Sequence, residues 1–171
     1  MTHYSPFLYR QLTRNLLVFL LLLISLTVSG QTIRYVSTTG TNTNPASATS
    51  WATSTTNLQG AIAVSSVNDQ VWVAGGTYKP GGNGHSNRSL SFAMKNGLAI
   101  YGGFAGTEAT LGQRPTINPT TPSATTLSGD VGILDNPTDN SFHVISNPAG
   151  LTTTALLNGF VIANGNTSGV Y

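Results

Sequence analysis

Apolar and polar positions fall into three regimes along the chain. Residues 16–28 are an almost unbroken apolar run, Leu16-Leu17-Val18-Phe19-Leu20-Leu21-Leu22-Leu23-Ile24 continuing through Ser25, Leu26, Thr27 and Val28. Residues 31–69 combine a short strand-like run, Ile33-Arg34-Tyr35-Val36, a turn-rich stretch from Ser37 to Ser50, and one helix-like pattern. From residue 70 the pattern changes to brief runs of β-formers closed by glycine.

The first regime reads as a targeting segment, residues 1–30. Its apolar run suits the hydrophobic region of a signal peptide and is shorter than the roughly 20 residues of a membrane span. Arg10 and Arg14 precede it without any acid, and Val28-Ser29-Gly30 predicts cleavage before Gln31. The alternative is an uncleaved N-terminal anchor. No cysteine follows the run, which excludes a lipid-modified one. The expected location is therefore secreted or outer cell surface, with no membrane span after cleavage.

In the second regime, Thr56-Asn57-Leu58-Gln59 reads as a capping box, Thr56 accepting from the first turn and Gln59 reaching back. Leu58, Ala61, Ile62 and Ser65 then share one face at helical spacing. With Trp51 upstream, this helix has enough apolar surface to cover something else and too little to stand alone. Covering the open end of a stack of strands suits Trp51, Leu58 and Ile62 better than lining a ligand groove.

In the third regime the runs recur. Val71-Trp72-Val73-Ala74-Gly75-Gly76 is followed twenty-seven residues later by Leu98-Ala99-Ile100-Tyr101-Gly102-Gly103, and each glycine pair is followed by an aromatic, Tyr78 or Phe104. Thr125-Thr126-Leu127-Ser128-Gly129-Asp130, Phe142-His143-Val144-Ile145-Ser146-Asn147 and Gly159-Phe160-Val161-Ile162-Ala163-Asn164-Gly165 continue the series. A repeat of this size with one short strand per unit predicts a solenoid. Such strands cannot bury their side chains singly, but stacking in parallel about 4.8 Å apart builds a continuous apolar column. The fold expected is all-β, a right-handed parallel β-helix with a short N-terminal capping helix. Residues 31–69 would supply the first strand and cap, and residues 70–171 the first coils. Ending at Gly169-Val170-Tyr171 directly after a repeat, the chain reads as a fragment of a longer product.

Composition supports short strands over long helices. Only 7% of residues are charged, against roughly 25% in an average domain, and Thr, Ser, Asn and Gly disfavour helix interiors. The formal charge of +2 vanishes once Arg10 and Arg14 are set aside, leaving five basic and five acidic residues. Without a basic cluster there is no footprint for nucleic acid. The absence of cysteine excludes disulfides, thiolate zinc sites and cysteine nucleophiles.

Several blocks carry a resemblance. Ser50-Trp51, Leu58-Gln59-x-Ala61-Ile62, Asp69 through Pro80, Ser91-Phe92 to Asn96-Gly97, Ile100 through Glu108, Leu127-Ser128-Gly129-Asp130, Asp139 through Ile145 and Leu157 through Ile162 resemble the start of pectin-lyase-like β-helix surface proteins. The likeness runs from about residue 34 to 165. It implies a large secreted protein akin to polymorphic outer-membrane proteins and adhesins, often with a C-terminal sorting domain, and also akin to polysaccharide lyases. Most such proteins are defined by fold, so the likeness confers no activity. The lyases bind calcium through clustered acids on one face and use an Arg or Lys base.

Candidate chemistry is sparse. Asp130, Asp135 and Asp139 could offer oxygen ligands to calcium, but they match no compact calcium-loop pattern, and turn formation by Asp135-Asn136-Pro137 and Asp139-Asn140 is preferred. His143, heading an apolar run, reads as a hydrogen-bonded wall residue. His85 reads as a loop residue without a partner of fixed geometry. Tyr78, Tyr101 and Phe104 could stack on sugar rings, though packing in columns suits their recurrence better. No catalytic, metal or cofactor-binding residue is assigned, and no nucleophile, base and orienting group can be assembled. The expected function is adhesion, display or glycan binding without catalysis, the partner being an extracellular polysaccharide or a host or neighbouring cell surface. The alternative is the N-terminal part of a polysaccharide lyase or glycoside hydrolase whose active site lies on later coils.

Overall fold

The computed structural model describes residues 7, 10–16, 30–121 and 123–166. The chain divides into two compact units, Met1–Gly30 and Gln31–Tyr171. In the first unit, helix α1 covers residues 10–16, and the apolar run of the leader lies outside the described residues. Among the described residues no helix is long and apolar enough to cross a membrane.

The second unit is built from strands β1 (Ile33–Val36), β2 (Gln70–Ala74), β3 (Gly76–Tyr78), β4 (Ala99–Phe104), β5 (Thr125–Ser128), β6 (Leu156–Asn158) and β7 (Phe160–Ala163), with helix α2 (Leu58–Val64) between β1 and β2. All strand pairings among the described residues are parallel. One sheet has the order β1-β2-β4-β6 and the other β3-β5-β7. Alternation sets the faces of β2: Val71 and Val73 enter the core, while Trp72 points to the opposite face.

These sheets overturn the expectation of an all-β, right-handed parallel β-helix and of a single repeated strand. The described residues form a small α/β protein with two helices and seven strands in two parallel sheets. The glycine-closed runs are not copies of one element. Val71–Gly76 crosses from the first sheet into the second, and Thr125–Ser128 joins the second sheet against Gly76–Tyr78 instead of aligning with Leu98–Gly103. The run Phe142–Asn147 contributes only a bridge between Phe92 and Ile145. Val71 lies opposite Ile100, not Leu98. This two-residue shift preserves the side-chain alternation, which is why the apolar pattern alone could not reveal it.

Glycine makes the crossing between sheets possible. Gly76 adopts φ +140°, and a Cβ there would sit 2.5 Å from Thr38 Cγ2. At the later crossing Gly159 has φ +86°, and its missing Cβ would lie 2.7 Å from the Gly102 carbonyl oxygen, so the two backbones meet where no side chain fits.

Helix α2 is part of the core rather than an accessory to it. Leu58, Ala61 and Ile62 pack with Val36, Val71, Val73, Leu98, Ile100, Leu127 and Val144. Its cap differs from the sequence reading. Asn57, not Thr56, is the N-cap, its Oδ1 accepting from Gly60 N at 2.8 Å. Gln59 reaches away from the helix and accepts from Ala93 N at 2.9 Å, pinning a later segment. A reciprocal capping box occurs instead at Ser50 and Thr53, around the 3-10 turn Trp51–Thr53.

On the outer face of the first sheet, Tyr35, Trp72 and Tyr101 occupy one register across β1, β2 and β4. Trp72 stacks on Phe104 at 4.6 Å and meets Tyr35 edge-on at 5.6 Å. Trp51 closes over this group, 4.8 Å from Tyr35 and 5.6 Å from Phe104. These rings form a second apolar layer that spares the sheet an exposed hydrophobic face.

Candidate functional site

A cleft of about 660 Å³ lies between helix α2, strand β3 and the loop that follows β3. Thr56, Thr77, Asn83 and Ser91 present hydroxyls and an amide to it. Apolar floor is supplied by Leu58, Tyr78 and Phe92, all buried. The cation at its edge, Lys79, is held 3.5 Å from Asp130 Oδ2. The cleft thus offers neutral hydrogen-bonding groups above an apolar base, a lining suited to hydroxyl-rich ligands and poor for a multiply charged one.

Its floor is rigid. Burial pushes the Tyr78 phenol well above its ordinary range, outweighing a backbone hydrogen bond near Thr38 that acts the other way. The hydroxyl donates to the Ala74 carbonyl at 2.9 Å. Tyr78 is therefore a protonated, buried hydrogen-bond donor that ties β3 to the end of β2 in the other sheet, not a sugar-stacking ring.

The other aromatics singled out from sequence separate. Phe104 is fully buried against Trp72, and Tyr101 is half-buried beneath Arg114, whose guanidinium carbon lies 5.3 Å from its ring centre. Arg114 also donates to Asn158 Oδ1 at 2.7 Å and to the Gly102 carbonyl at 3.2 Å. Tyr78, Tyr101 and Phe104 consequently form no common column. The signal for the real cluster was the alternation of Tyr35 and Trp72 with core valines.

The histidines have structural surroundings. His85 does have fixed partners: Nδ1 accepts from Asn87 N at 3.1 Å, so Nε2 carries the proton it donates to the Pro80 carbonyl. Both nitrogens are occupied, which removes it as a general base. His143 is exposed rather than a hydrogen-bonded wall residue, and borders a shallow depression with Val144 and Ile162.

The three aspartates also part company. Asp135 is exposed with φ +61°, a turn residue. Next to it, Asn136 Oδ1 accepts from Thr138 N at 3.2 Å, as expected for an Asx turn. Asp139 folds back so that Oδ2 accepts from Ile133 N at 2.8 Å. Asp130 is buried, with Oδ2 facing Lys79. Among the described residues no group of three or more His, Cys, Asp or Glu side chains converges as a metal site.

Glu108 lies in the loop after β4 and stands in the sequence only as part of a block of resemblance, not as a candidate site residue. Its carboxylate accepts from Ala105 N at 2.6 Å, Thr107 N at 2.9 Å and Gly106 N at 3.0 Å. Burial alone would raise its pKa, but these backbone donors outweigh burial and hold it below the ordinary carboxylate value. Its carbonyl accepts from Trp51 Nε1 at 2.9 Å, tying the loop to the aromatic layer. No family model matches the chain, and no curated protein or solved structure matches it.

Proposed function

We propose that the chain is an exported protein whose second unit acts, at the cell surface or outside the cell, as a non-catalytic carbohydrate-binding module. The observation that carries the binding reading is the cleft beside α2. Its accessible groups are the hydroxyls and amide of Thr56, Thr77, Asn83 and Ser91, and its cation is engaged by Asp130. Sugar hydroxyls exchange donor and acceptor roles freely with such groups, while Leu58 and Phe92 in the floor provide the apolar contact that a sugar ring's C–H face requires. Export is supported by the apolar run at 16–28, preceded by Arg10 and Arg14 without any acid.

The test is a glycan array and titration with the exported chain, beside Thr77→Val and Ser91→Ala. Binding to neutral polysaccharide is expected, weakened roughly threefold to tenfold by each change, the equivalent of one hydrogen bond. No binding across the array overturns the carbohydrate reading, and release of unsaturated uronates overturns the non-catalytic one. The mass of the exported product should place its first residue at Gln31. A product retained inside the cell would sink the export reading.

A further inference from the structure

Four oxygen atoms in one short stretch of chain are buried without a hydrogen-bond partner: Asp130 Oδ1, Asp139 Oδ1, Asn140 Oδ1 and Ser141 Oγ. Three of the four residues are closely held, and Asp139 is half-buried. Asp130 is 5%, Asn140 7% and Ser141 0% exposed. Buried polar atoms are nearly always satisfied, and an isolated exception calls for an explanation. Four in neighbouring residues, three of which can only accept, call for a donor or a cation.

Two hydrogen bonds bring the stretch together. Ser141 N donates to the Gly129 carbonyl at 2.7 Å, and Ile133 N donates to Asp139 Oδ2 at 2.8 Å. Residues 129–133 and 139–141 are thus laced side by side, with Asp130 inside the lacing. Gly132 is required at the crossing: with φ +70°, its missing Cβ would fall 2.6 Å from Asp139 Oδ2. The backbone of the second segment is already committed elsewhere. The Asn140 carbonyl accepts from Arg88 Nε at 2.7 Å, and the Ser141 carbonyl from Asn166 N at 2.9 Å. What is left over is the side-chain oxygens.

We propose that this loop pair binds a divalent cation of the calcium type through Asp130, Asp139, Asn140 and Ser141. Two carboxylates, an amide oxygen and a hydroxyl are hard oxygen donors, and calcium accepts six to eight of these in irregular geometry. The four side chains would fill part of that sphere, and water would complete it. Magnesium, which demands a near-octahedral shell and gives up water reluctantly, fits such a set less well. Lys79 faces the second oxygen of Asp130 at 3.5 Å. It lowers the local negative charge, so the site is of moderate affinity and holds a structural ion rather than a catalytic one. Asp135 has no part in it.

The test uses the full chain, stripped with chelator and titrated with calcium chloride alone, followed by calorimetry and by the thermal unfolding midpoint. Calcium is expected to bind at a one-to-one ratio and to raise the midpoint, with magnesium weaker by tenfold or more. Asp139→Asn keeps an oxygen for Ile133 N and should weaken calcium at least tenfold. Asn140→Asp adds a charge to the site and should tighten it, which keeps the proposal testable if the first variant folds poorly. Absence of both heat and midpoint shift in the stripped protein overturns it and assigns the four oxygens to buried water. So does an equal calcium response in wild type and both variants.

Discussion

Two loops of this molecule hold a buried acid in opposite ways. After β4, Glu108 sits within a turn of its own backbone and receives three N–H donors from Ala105, Gly106 and Thr107. After β5, Asp130 receives one loose ammonium, and beside it Asp139, Asn140 and Ser141 each keep a buried oxygen without a donor. In sequence the two loops begin alike, with a strand, a glycine and an acid a few residues apart. The difference lies in who supplies the donors. A loop that curls around its acid makes the charge a staple of the fold, whereas a loop that gathers acceptors leaves that work to something outside the chain.

The satisfied loop is most easily broken from outside, through Trp51. This ring closes the aromatic layer and donates to the Glu108 carbonyl. Trp51→Ala should destabilise the protein by about 3 kcal/mol, the low end for a large-to-small aromatic change because the ring is only half-buried. Trp51→Phe keeps the ring packing and should cost about 1 kcal/mol for the lost hydrogen bond. Urea unfolding at neutral pH measures both. A loss under about 1 kcal/mol for the alanine variant would mean that the loop holds its shape without the ring.

Next in size is the charge itself. Glu108→Gln replaces a carboxylate that only accepts with an amide that turns a donor toward other donors, and should cost about 2 kcal/mol at pH 7. The cost depends on pH with a definite sign. The folded-state pKa lies below the ordinary 4.5, so the unfolded chain takes up the proton first as acid is added. The stability contributed by the charge is complete above that ordinary value and is lost as pH falls through the lower folded value. Wild type and variant should therefore converge at acid pH. A gap that stays constant down to pH 2 would show that the ionised carboxylate contributes nothing.

How far the sequence revealed these features depended on how local their causes are. The face of α2 was legible because Leu58, Ala61, Ile62 and Ser65 recur at helical spacing, and all four are buried. The strands at Ile33–Val36, Gln70–Ala74 and Ala99–Phe104 were legible from their β-formers and closing glycines. The division of strands between two sheets was not, because a short run of β-formers carries no mark of which partner it will find. The same holds for Gln59, whose side chain serves a residue far along the chain rather than its own helix. Asp130, Asp135 and Asp139 could be named from spacing. Only the fold separated Asp135, an exposed turn residue, from the two that turn inward. Asn140 and Ser141 gave no signal at all, since an amide and a hydroxyl in a polar loop are ordinary until their burial is known.

The smallest expected effect draws the sharpest line between the loops. Ser141→Ala removes a buried hydroxyl that has no partner, so no hydrogen bond is broken and a desolvation penalty is relieved. In metal-free buffer the variant should lie within about 0.5 kcal/mol of wild type, on the stabilising side if on either. Glu108→Gln, which disturbs a satisfied group that is also buried, should cost several times more under the same conditions. Denaturant unfolding in chelator, with both variants side by side, makes the comparison. A loss above about 1 kcal/mol for Ser141→Ala would mean that its hydroxyl is already engaged, by water for instance, and that the loop after β5 is closed within itself like the loop after β4.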